Sequence, residues 1–259
     1  MQFKYLRDDF FISRYQSFEK ESEYILHNHM NKCEILYFIK GNSTFVVEGT
    51  QYPLSPHDII IARHDEMHRV IHHAEGEYDR VVINFDIDFF ENYQLQEYAP
   101  AFFNRPAGSS NLYSARTFPA VTDCLERLCG YCREDAPEVL VRGVFCELLR
   151  IFAKPETPPD EGNVTSPRLR EIILYINDNL SSDLSLDFLS KKFYISKYHL
   201  CRIFKEQTGM TLGQFITKKK MLKADALHSS GMSLTDAACA SGFSDYSSFY
   251  HARKRYRYP

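Results

Sequence analysis

The chain has 259 residues, of which 44% are hydrophobic and 25% are charged, and its formal net charge is −3. This composition is typical of a soluble globular protein of one or two domains. It argues against a membrane span, because no run approaches the ~18 consecutive apolar residues that one needs. The opening residues carry scattered charges and no apolar core, so no secretion signal is expected. Seven cysteines, an odd number spread along the chain, predict reduced thiols and a cytoplasmic protein.

The region from residue 23 to residue 86 is predicted to form a small β-barrel or sandwich. Its apolar runs are short, rich in Val, Ile, Phe and Tyr, and separated by turn residues, which is typical of an antiparallel meander. The runs are Ile35–Ile39, Thr44–Val47, Asp58–Ala62 and Val81–Phe85.

Two amphipathic helices are predicted between residues 118 and 153. Val121, Leu125 and Leu128 recur at helical spacing, and Val139–Ile151 repeats the pattern after Pro137, which suits a first helical turn. Two adjacent helices of this kind can form an antiparallel hairpin. One face would cover the barrel and another would offer a surface for a dimer.

Two short motifs favour structural roles. Cys129 and Cys132 form a CxxC pair, which is half of a zinc site, but both fall on the apolar stripe of the first helix. They are therefore predicted to be buried core thiols. Lys218–Lys220 is predicted to be a solvated helix face, with phosphate contact as the alternative.

Charge and composition divide the chain near residue 160. Residues 154–167, KPETPPDEGNVTSP, contain four prolines and no apolar periodicity, so they are predicted to be an exposed linker. From Arg168 onward the chain has 15 Lys+Arg against 8 Asp+Glu, a balance of +7, whereas the preceding part has a balance of −10. This asymmetry indicates that the C-terminal part meets a polyanion.

Residues 184–209 have the length and pattern of a helix-turn-helix motif. A short helix, Leu186–Lys192, is followed by a tight connection and by a second helix that Ser196 caps. Leu200 and Phe204 are expected to face the core. The outward residues are then Lys197, Tyr198, Cys201, Arg202 and Lys205. Such a basic face can enter a major groove, with Arg202 bonding a guanine edge and the two lysines contacting phosphates.

The pattern recurs near the C-terminus. Ser233 begins another short helix, and Asp245 caps a second candidate recognition helix in which Phe249 is the expected core anchor. The outward residues include Tyr246, Ser247 and His251. Two such units in tandem could contact successive major-groove faces about 34 Å apart.

Residues 169–252, with LSLDFLSKKFYISKYHLCRIFKEQTGMTLGQFI and GMSLTDAACASGFSDYSSFYHA, resemble the DNA-binding domain of the AraC/XylS family. In that family the first recognition helix contacts bases through positions that correspond to Tyr198, Cys201 and Arg202. The second helix uses the positions of Tyr246, Ser247 and His251. One position departs from the family pattern, because Arg253 stands where an apolar residue, usually Phe, is expected. An arginine there costs stability unless its charged end reaches solvent.

His27, His29, Glu34 and Gly41 match HxHx4Ex6G, the first motif of the cupin superfamily, and His68 falls where the second motif has its histidine. Three imidazoles and a carboxylate suit a first-row divalent metal. The AraC-type resemblance instead implies a metal-free pocket for a small effector, often a sugar. Its candidate contacts are His27, His29, Glu34, Arg63 and His68. A pocket that has lost its ligand is the third alternative.

The resemblance therefore implies an α+β protein. Residues 1–153 would form a cupin-like β-barrel with a helical hairpin, which binds the effector and dimerises. Residues 154–167 would be the linker, and residues 168–259 an all-α DNA-binding domain with two helix-turn-helix motifs.

The favoured function is a transcriptional regulator, not an enzyme, that binds double-stranded promoter DNA and a small-molecule effector. No cofactor is expected beyond the divalent metal considered above. A homodimer is expected, and RNA polymerase is a further candidate partner. One alternative is a metal-dependent cupin enzyme or metal sensor that uses His27, His29, Glu34 and His68. Another is a DNA-binding protein whose N-terminal domain only dimerises.

Overall fold

The computed structural model describes residues 2–20, 22–23, 26–29, 31–114, 119–154, 158–163 and 166–256. Residue 118, where the predicted helical region begins, and the last three residues lie outside this description. Two compact units, residues 1–163 and 164–259, are treated separately. Over the described residues, no helix combines the length and the apolar character that crossing a membrane requires.

Two antiparallel sheets form the N-terminal unit. The strands are β1 (Phe3–Leu6), β2 (Phe10–Glu19), β3 (Ser22–Glu23), β4 (Lys32–Lys40), β5 (Ser43–Val47), β6 (Thr50–Pro53), β7 (Ile59–Ala62), β8 (His68–His72), β9 (Gly76–Asp86) and β10 (Leu112–Tyr113). One sheet has the order β1-β2-β9-β4-β7-β10 and the other has the order β3-β8-β5-β6. The predicted barrel or sandwich is confirmed. Its β5–β6 hairpin turns at Glu48 and Gly49, both with positive φ, as a two-residue hairpin loop favours.

Strand β4 shows how the two sides of the larger sheet are used. Its side chains alternate, so Ile35 and Tyr37 join one apolar cluster while Leu36 and Phe38 join another. The second cluster contains side chains from both sheets and fills the space between them. The interior of the sandwich is therefore packed with apolar side chains along its middle.

Helices cover the outer face of the larger sheet. They are α1 (Phe89–Asn92), α2 (Pro100–Phe103), α3 (Pro119–Arg133) and α4 (Glu138–Ala153), with a 3-10 turn at Gln96–Tyr98. Phe145 of α4 stacks on Phe10 of β2 with ring centroids 5.3 Å apart. Cys129 and Cys132 are buried in the same cluster, which confirms them as core thiols. Burial raises the pKa of both thiols, to about 11 and about 12 respectively.

Residues 158–163 of the predicted linker stay at the surface but are not free. Gln51 and Asn163 exchange two backbone hydrogen bonds of 2.9 and 2.7 Å, and the Asp160 amide donates to the Leu112 carbonyl at 2.8 Å. Ser110 Oγ donates to the Glu161 carboxylate at 2.8 Å. The segment is thus paired with the sheet unit up to the boundary at residue 163.

The C-terminal unit is entirely helical where it is described. Its helices are α5 (Pro167–Asp178), α6 (Leu186–Lys192), α7 (Lys197–Thr208), α8 (Leu212–Ser229), α9 (Leu234–Ala240) and α10 (Tyr246–Arg255). The predicted helix starts at Ser196, Ser233 and Asp245 are confirmed, since each of these residues accepts a hydrogen bond from the backbone N–H three residues later. Ser185 caps α6 in the same way. These caps fix where both pairs of helix-turn-helix helices begin.

The prediction of a solvated face at Lys218–Lys220 is wrong. Lys219 is only 5% exposed, and Lys220 Nζ donates to the Gly242 carbonyl at 2.7 Å. Burial lowers the pKa of Lys220. Lys219 and Lys220 therefore do not form a solvated face, and the Lys220 stem is partly covered while its charged end reaches a backbone carbonyl.

Arg253 keeps its charged end near both solvent and a carboxylate. Its side chain is 35% exposed, and its Nη1 lies 3.6 Å from Oδ1 of Asp225, whose side chain is 12% exposed. The guanidinium carbon also lies 5.8 Å from the centre of the Phe249 ring. The position that the family pattern gives to an apolar residue is therefore occupied by a partly covered ion pair over the core aromatic ring.

We expect Arg253→Leu to destabilise the C-terminal unit, because the largely covered carboxylate of Asp225 would remain without its cation. Adding Asp225→Asn should recover part of the loss, giving a coupling of about 0.5–1 kcal/mol, as partly exposed ion pairs do. Urea unfolding of the four variants of this cycle, followed by circular dichroism, measures it. Lys254→Leu on the exposed side of α10 is the control, and zero coupling would contradict the pairing.

Candidate functional site

Helix α7 presents a basic, aromatic face to solvent. Leu200 and Phe204 are fully buried, as predicted. The five residues predicted to face outward are all exposed: Lys197, Tyr198, Cys201, Arg202 and Lys205. The cap at Ser196 and the inward anchors thus orient the helix so that its cations project away from the core.

Two of these cations have partners that the sequence did not predict. Arg202 Nη1 lies 3.2 Å from the Glu206 carboxylate, and its Nη2 lies 3.2 Å from Nδ1 of His199. Lys197 forms an ion pair with Asp187 of α6. The i,i+4 spacing of Arg202 and Glu206 was a sequence signal for the first of these pairs.

Helix α10 presents a second exposed face. Phe249 is buried and packs against Phe243 with ring centroids 5.4 Å apart, as its predicted role as anchor requires. The predicted outward residues Tyr246, Ser247 and His251 are exposed. Tyr250 is also exposed, and its ring centroid lies 6.4 Å from that of Tyr246. Sequence reasoning did not include Tyr250, although it lies one helical turn after Tyr246.

Four of the five predicted effector contacts meet at one end of the sheet sandwich. His27 and His68 exchange backbone hydrogen bonds of 2.9 and 2.8 Å, which places their rings side by side with centroids 4.6 Å apart. His29 Nε2 lies 2.8 Å from one oxygen of Glu34, and His68 Nε2 lies 3.6 Å from the other. We call His27, His29, Glu34 and His68 the histidine cluster.

The charges of the histidine cluster differ from residue to residue. Burial alone would raise the pKa of Glu34, but the His29 contact and the neighbouring imidazoles outweigh it and lower that pKa to about 2. Burial alone would lower the pKa of His29, whereas its contact with Glu34 raises it. Burial lowers the pKa of His68 to about 4. The cluster therefore combines an ionised Glu34 with a neutral His68.

The histidine cluster fits a divalent cation. Ligand nitrogens of His27, His29 and His68 all lie within 4.8 Å of one another. Nδ1 of His68 donates to the Glu66 carbonyl at 3.0 Å, which leaves the lone pair on Nε2, the nitrogen that faces Glu34. A metal needs such a neutral, pre-oriented imidazole.

Arg63, the fifth predicted effector contact, makes its hydrogen bonds elsewhere. Its Nε donates to Asp65 at 2.7 Å, and its Nη1 donates to the Arg105 carbonyl at 3.0 Å. Its guanidinium therefore fastens the segment around Arg105, and its place among the effector contacts stays a prediction.

A buried carboxylate that the sequence did not single out adjoins the histidine cluster. Glu66 is fully buried, and both of its oxygens accept hydrogen bonds of 2.8 Å from the Arg105 guanidinium. Backbone N–H groups of Gly108 and Arg63 donate at 2.8 and 3.0 Å. Burial alone would raise the pKa of Glu66, but Arg105 and these donors lower it.

Apolar packing limits the depth of the site. On β8 the side chains of His68, Val70 and His72 share a face, and Val70 belongs to the apolar cluster between the sheets. The polar histidine cluster is thus confined to one end, and a ligand there would meet an apolar floor.

Two family models match the chain. The one described as the AraC-like ligand binding domain covers residues 15–138, and the one described as a helix-turn-helix domain covers residues 189–257. The first match includes the histidine cluster, and the second includes α7 and α10.

Curated relatives match mainly the helical unit. The multiple antibiotic resistance protein MarA of Escherichia coli is 44% identical over 59 residues, which are 23% of this chain and 46% of MarA. The chain thus spans less than half the length of MarA. The probable transcription factor PqrA of Proteus vulgaris is 32% identical over 34% of this chain and 75% of PqrA. The uncharacterized regulator YfiF of Bacillus subtilis is 22% identical over 91% of this chain and 77% of YfiF.

In metal-free protein, we expect Glu34→Gln to lower the pKa of His29, because the carboxylate that raises it is gone. The Glu34 contribution to stability is present above a pH of about 4.5 and is lost as the pH falls toward about 2. The His29 contribution is present below a pH of about 6.5 and is lost as the pH rises through the raised value. Both contributions are fully present between about pH 4.5 and about pH 6.5. In this pH range the variant should therefore lose the most stability, about 2 kcal/mol for a charged hydrogen bond.

NMR titration of His29 and urea unfolding at several pH values measure both effects. Glu77→Gln, which removes an exposed carboxylate paired with Lys40, is the matched control. An unchanged His29 pKa in Glu34→Gln would show that the two side chains are not coupled.

Proposed function

Because this chain belongs to the AraC/XylS family of transcriptional regulators, we propose that it binds double-stranded promoter DNA through the exposed faces of α7 and α10. The observation that carries the proposal is the α7 face, where cations and Tyr198 project outward from a helix anchored by Leu200 and Phe204. A helix of this kind enters the major groove with its first turns against the base edges.

Each outward residue of α7 has a proposed role. Arg202 donates two hydrogen bonds to a guanine, after it exchanges Glu206 for the base. Lys197 and Lys205 contact phosphates, and Tyr198 and Cys201 line the base edges. On α10, Tyr246, Ser247 and His251 contact the second half of the operator.

We expect Arg202→Ala to weaken binding to a selected operator by about 10-fold or more, because a bidentate guanine contact is lost. Binding to a random-sequence duplex should weaken much less, since only one charge is removed. Duplexes selected from a random pool by the wild-type protein serve as the operator, and fluorescence anisotropy gives the affinities. Arg150→Ala, an exposed cation of α4, is the control. Equal losses on both duplexes would contradict base recognition by Arg202.

The N-terminal unit is proposed to bind a small organic effector at the histidine cluster, with Arg63 as a further candidate contact. The polar end and its apolar floor would suit a compact ligand with hydroxyl or carboxyl groups. Effector binding alters DNA recognition only if the ligand prefers one of two protein arrangements.

The assembly is proposed to be a cytoplasmic homodimer. Val139 and Leu140 of α4 are 73% and 45% exposed, an apolar edge that a second copy would cover. All seven cysteines are free thiols, in keeping with a reducing compartment. RNA polymerase is a further proposed partner, and no catalytic reaction is assigned to the chain.

A divalent cation is the second candidate for the histidine cluster, favoured by the convergent nitrogens of His27, His29 and His68. A bound cation would supply positive charge and an open coordination position for an effector oxygen. YfiF is described as a transcriptional regulator and PqrA as a probable transcription factor, so a metal-dependent enzyme is not favoured.

A thermal-shift screen of untagged protein against sugars, organic acids and divalent cations distinguishes the occupants. A ligand at 100 times its Kd should stabilise the protein by about 2.7 kcal/mol. If the occupant is a metal, elemental analysis should give a stoichiometric amount that His29→Ala and His68→Ala abolish and His57→Ala retains. An organic effector that still binds after treatment with a chelator would count against the metal.

A further inference from the structure

Tyr194 occupies an unusual position in the turn between α6 and α7. Its backbone has a φ of +51°, in the left-handed region that residues other than glycine rarely adopt. Its side chain is 90% exposed, so burial does not compensate for this conformation. Both neighbours, Phe193 and Ile195, are buried, which fixes the turn and leaves only Tyr194 projecting from it.

The second helix-turn-helix unit provides an internal comparison. After α6, the amides of Tyr194 and Ile195 donate to the carbonyls of Lys191 and Ser190 at 3.3 and 3.0 Å. After α9, the amides of Gly242 and Phe243 donate to the carbonyls three and five residues earlier at 3.0 and 3.2 Å. Both turns are therefore the same helix-ending motif, in which glycine is the usual residue at this position.

The two turns differ in what a side chain would meet. At Gly242, whose φ is +96°, a Cβ would lie 2.1 Å from the Leu180 carbonyl oxygen, so glycine is required. At Tyr194 the side chain extends into solvent. The first unit thus carries a large aromatic side chain where its own fold would be better served by glycine, and a conformational cost of this kind is typical of functional positions.

We propose that Tyr194 is an additional DNA contact of the first helix-turn-helix unit, and that its hydroxyl donates a hydrogen bond to a backbone phosphate. This assignment rests on the proposed DNA binding by α7. In helix-turn-helix complexes the first helix crosses the DNA backbone and the second enters the major groove, so the turn between them lies at the groove edge. Tyrosine hydroxyls are common phosphate donors there.

The charge around the turn supports a phosphate partner. Lys191, Lys192 and Lys197 flank it and are all exposed, and Tyr198, in the first turn of α7, is 79% exposed. Lys197 is paired with Asp187, and Lys192 Nζ lies 4.3 Å from the centre of the Tyr175 ring. The Tyr194 hydroxyl would thus add a neutral donor to a cationic edge.

The test compares Tyr194→Gly and Tyr194→Phe in the full-length protein. Glycine suits the backbone conformation, so the unfolding midpoint of Tyr194→Gly should equal or exceed that of the wild type. Both variants should bind about 3- to 10-fold more weakly than wild type to the selected duplex and to a random-sequence duplex alike, because a phosphate contact carries no sequence information. The slope of log Kd against log salt concentration should not change, since a neutral donor releases no counterion.

Three results would overturn the assignment: unchanged affinity in both variants, a loss confined to the selected duplex, or a lower unfolding midpoint for Tyr194→Gly. Lys197→Ala is the matched reference, because removal of a cation should lower the salt slope by about one. If the wild type binds but Tyr194→Gly binds equally well, only the role of Tyr194 fails. If the wild type binds neither duplex, the proposed DNA binding fails and this assignment fails with it.

Discussion

The N-terminal unit depends on the buried ion pair between Glu66 and Arg105. A carboxylate without access to solvent is tolerated only when opposite charge and hydrogen-bond donors surround it, and loss of one partner typically costs about 3–5 kcal/mol. Here the donors come from separate segments, the guanidinium and the Gly108 amide from the stretch after α2 and the Arg63 amide from the turn after β7. The pair therefore fixes that stretch against the sheets.

The same pair joins the histidine cluster to the end of the unit. The backbone carbonyl of Glu66 accepts a hydrogen bond from Nδ1 of His68. The stretch that Arg105 anchors continues to Leu112, whose carbonyl accepts a hydrogen bond from the Asp160 amide. Tyr52 donates to the Gly108 carbonyl from the neighbouring sheet. Contacts thus run without interruption from the cluster to the residues that precede the helical unit in sequence. A ligand that favours one arrangement of the histidines would have a packed route to that segment, although coupling itself requires two arrangements.

Much of this fold follows from local rules. The helix starts at Ser196 and Asp245 were predictable because a cap needs only its own side chain and the backbone of the next turn. The histidine cluster was predictable because strand alternation and motif spacing determine which side chains share a face. Tertiary contacts decided the rest. Lys219 is only 5% exposed although it stands in a run of three lysines, and the importance of Glu66 depends on an arginine 39 residues later. The left-handed conformation of Tyr194 carries no signal in its residue type, since tyrosine there is the exception.

Two cations of α7, Lys197 and Arg202, are already paired with carboxylates in the free protein. Lys197 faces Asp187 and Arg202 faces Glu206, and exposed pairs of this kind contribute less than about 1 kcal/mol, so phosphates or bases can replace the carboxylates. In the proposed complex, the displaced carboxylates would remain at the interface and repel the DNA backbone. A correctly placed guanine would offer Arg202 two directed hydrogen bonds in place of its contact with Glu206, whereas on other sequences Arg202 could stay paired with Glu206 and add little attraction. Glu206 would thus lower the contribution of Arg202 to general DNA affinity more than its contribution at the operator, which would raise the specificity ratio.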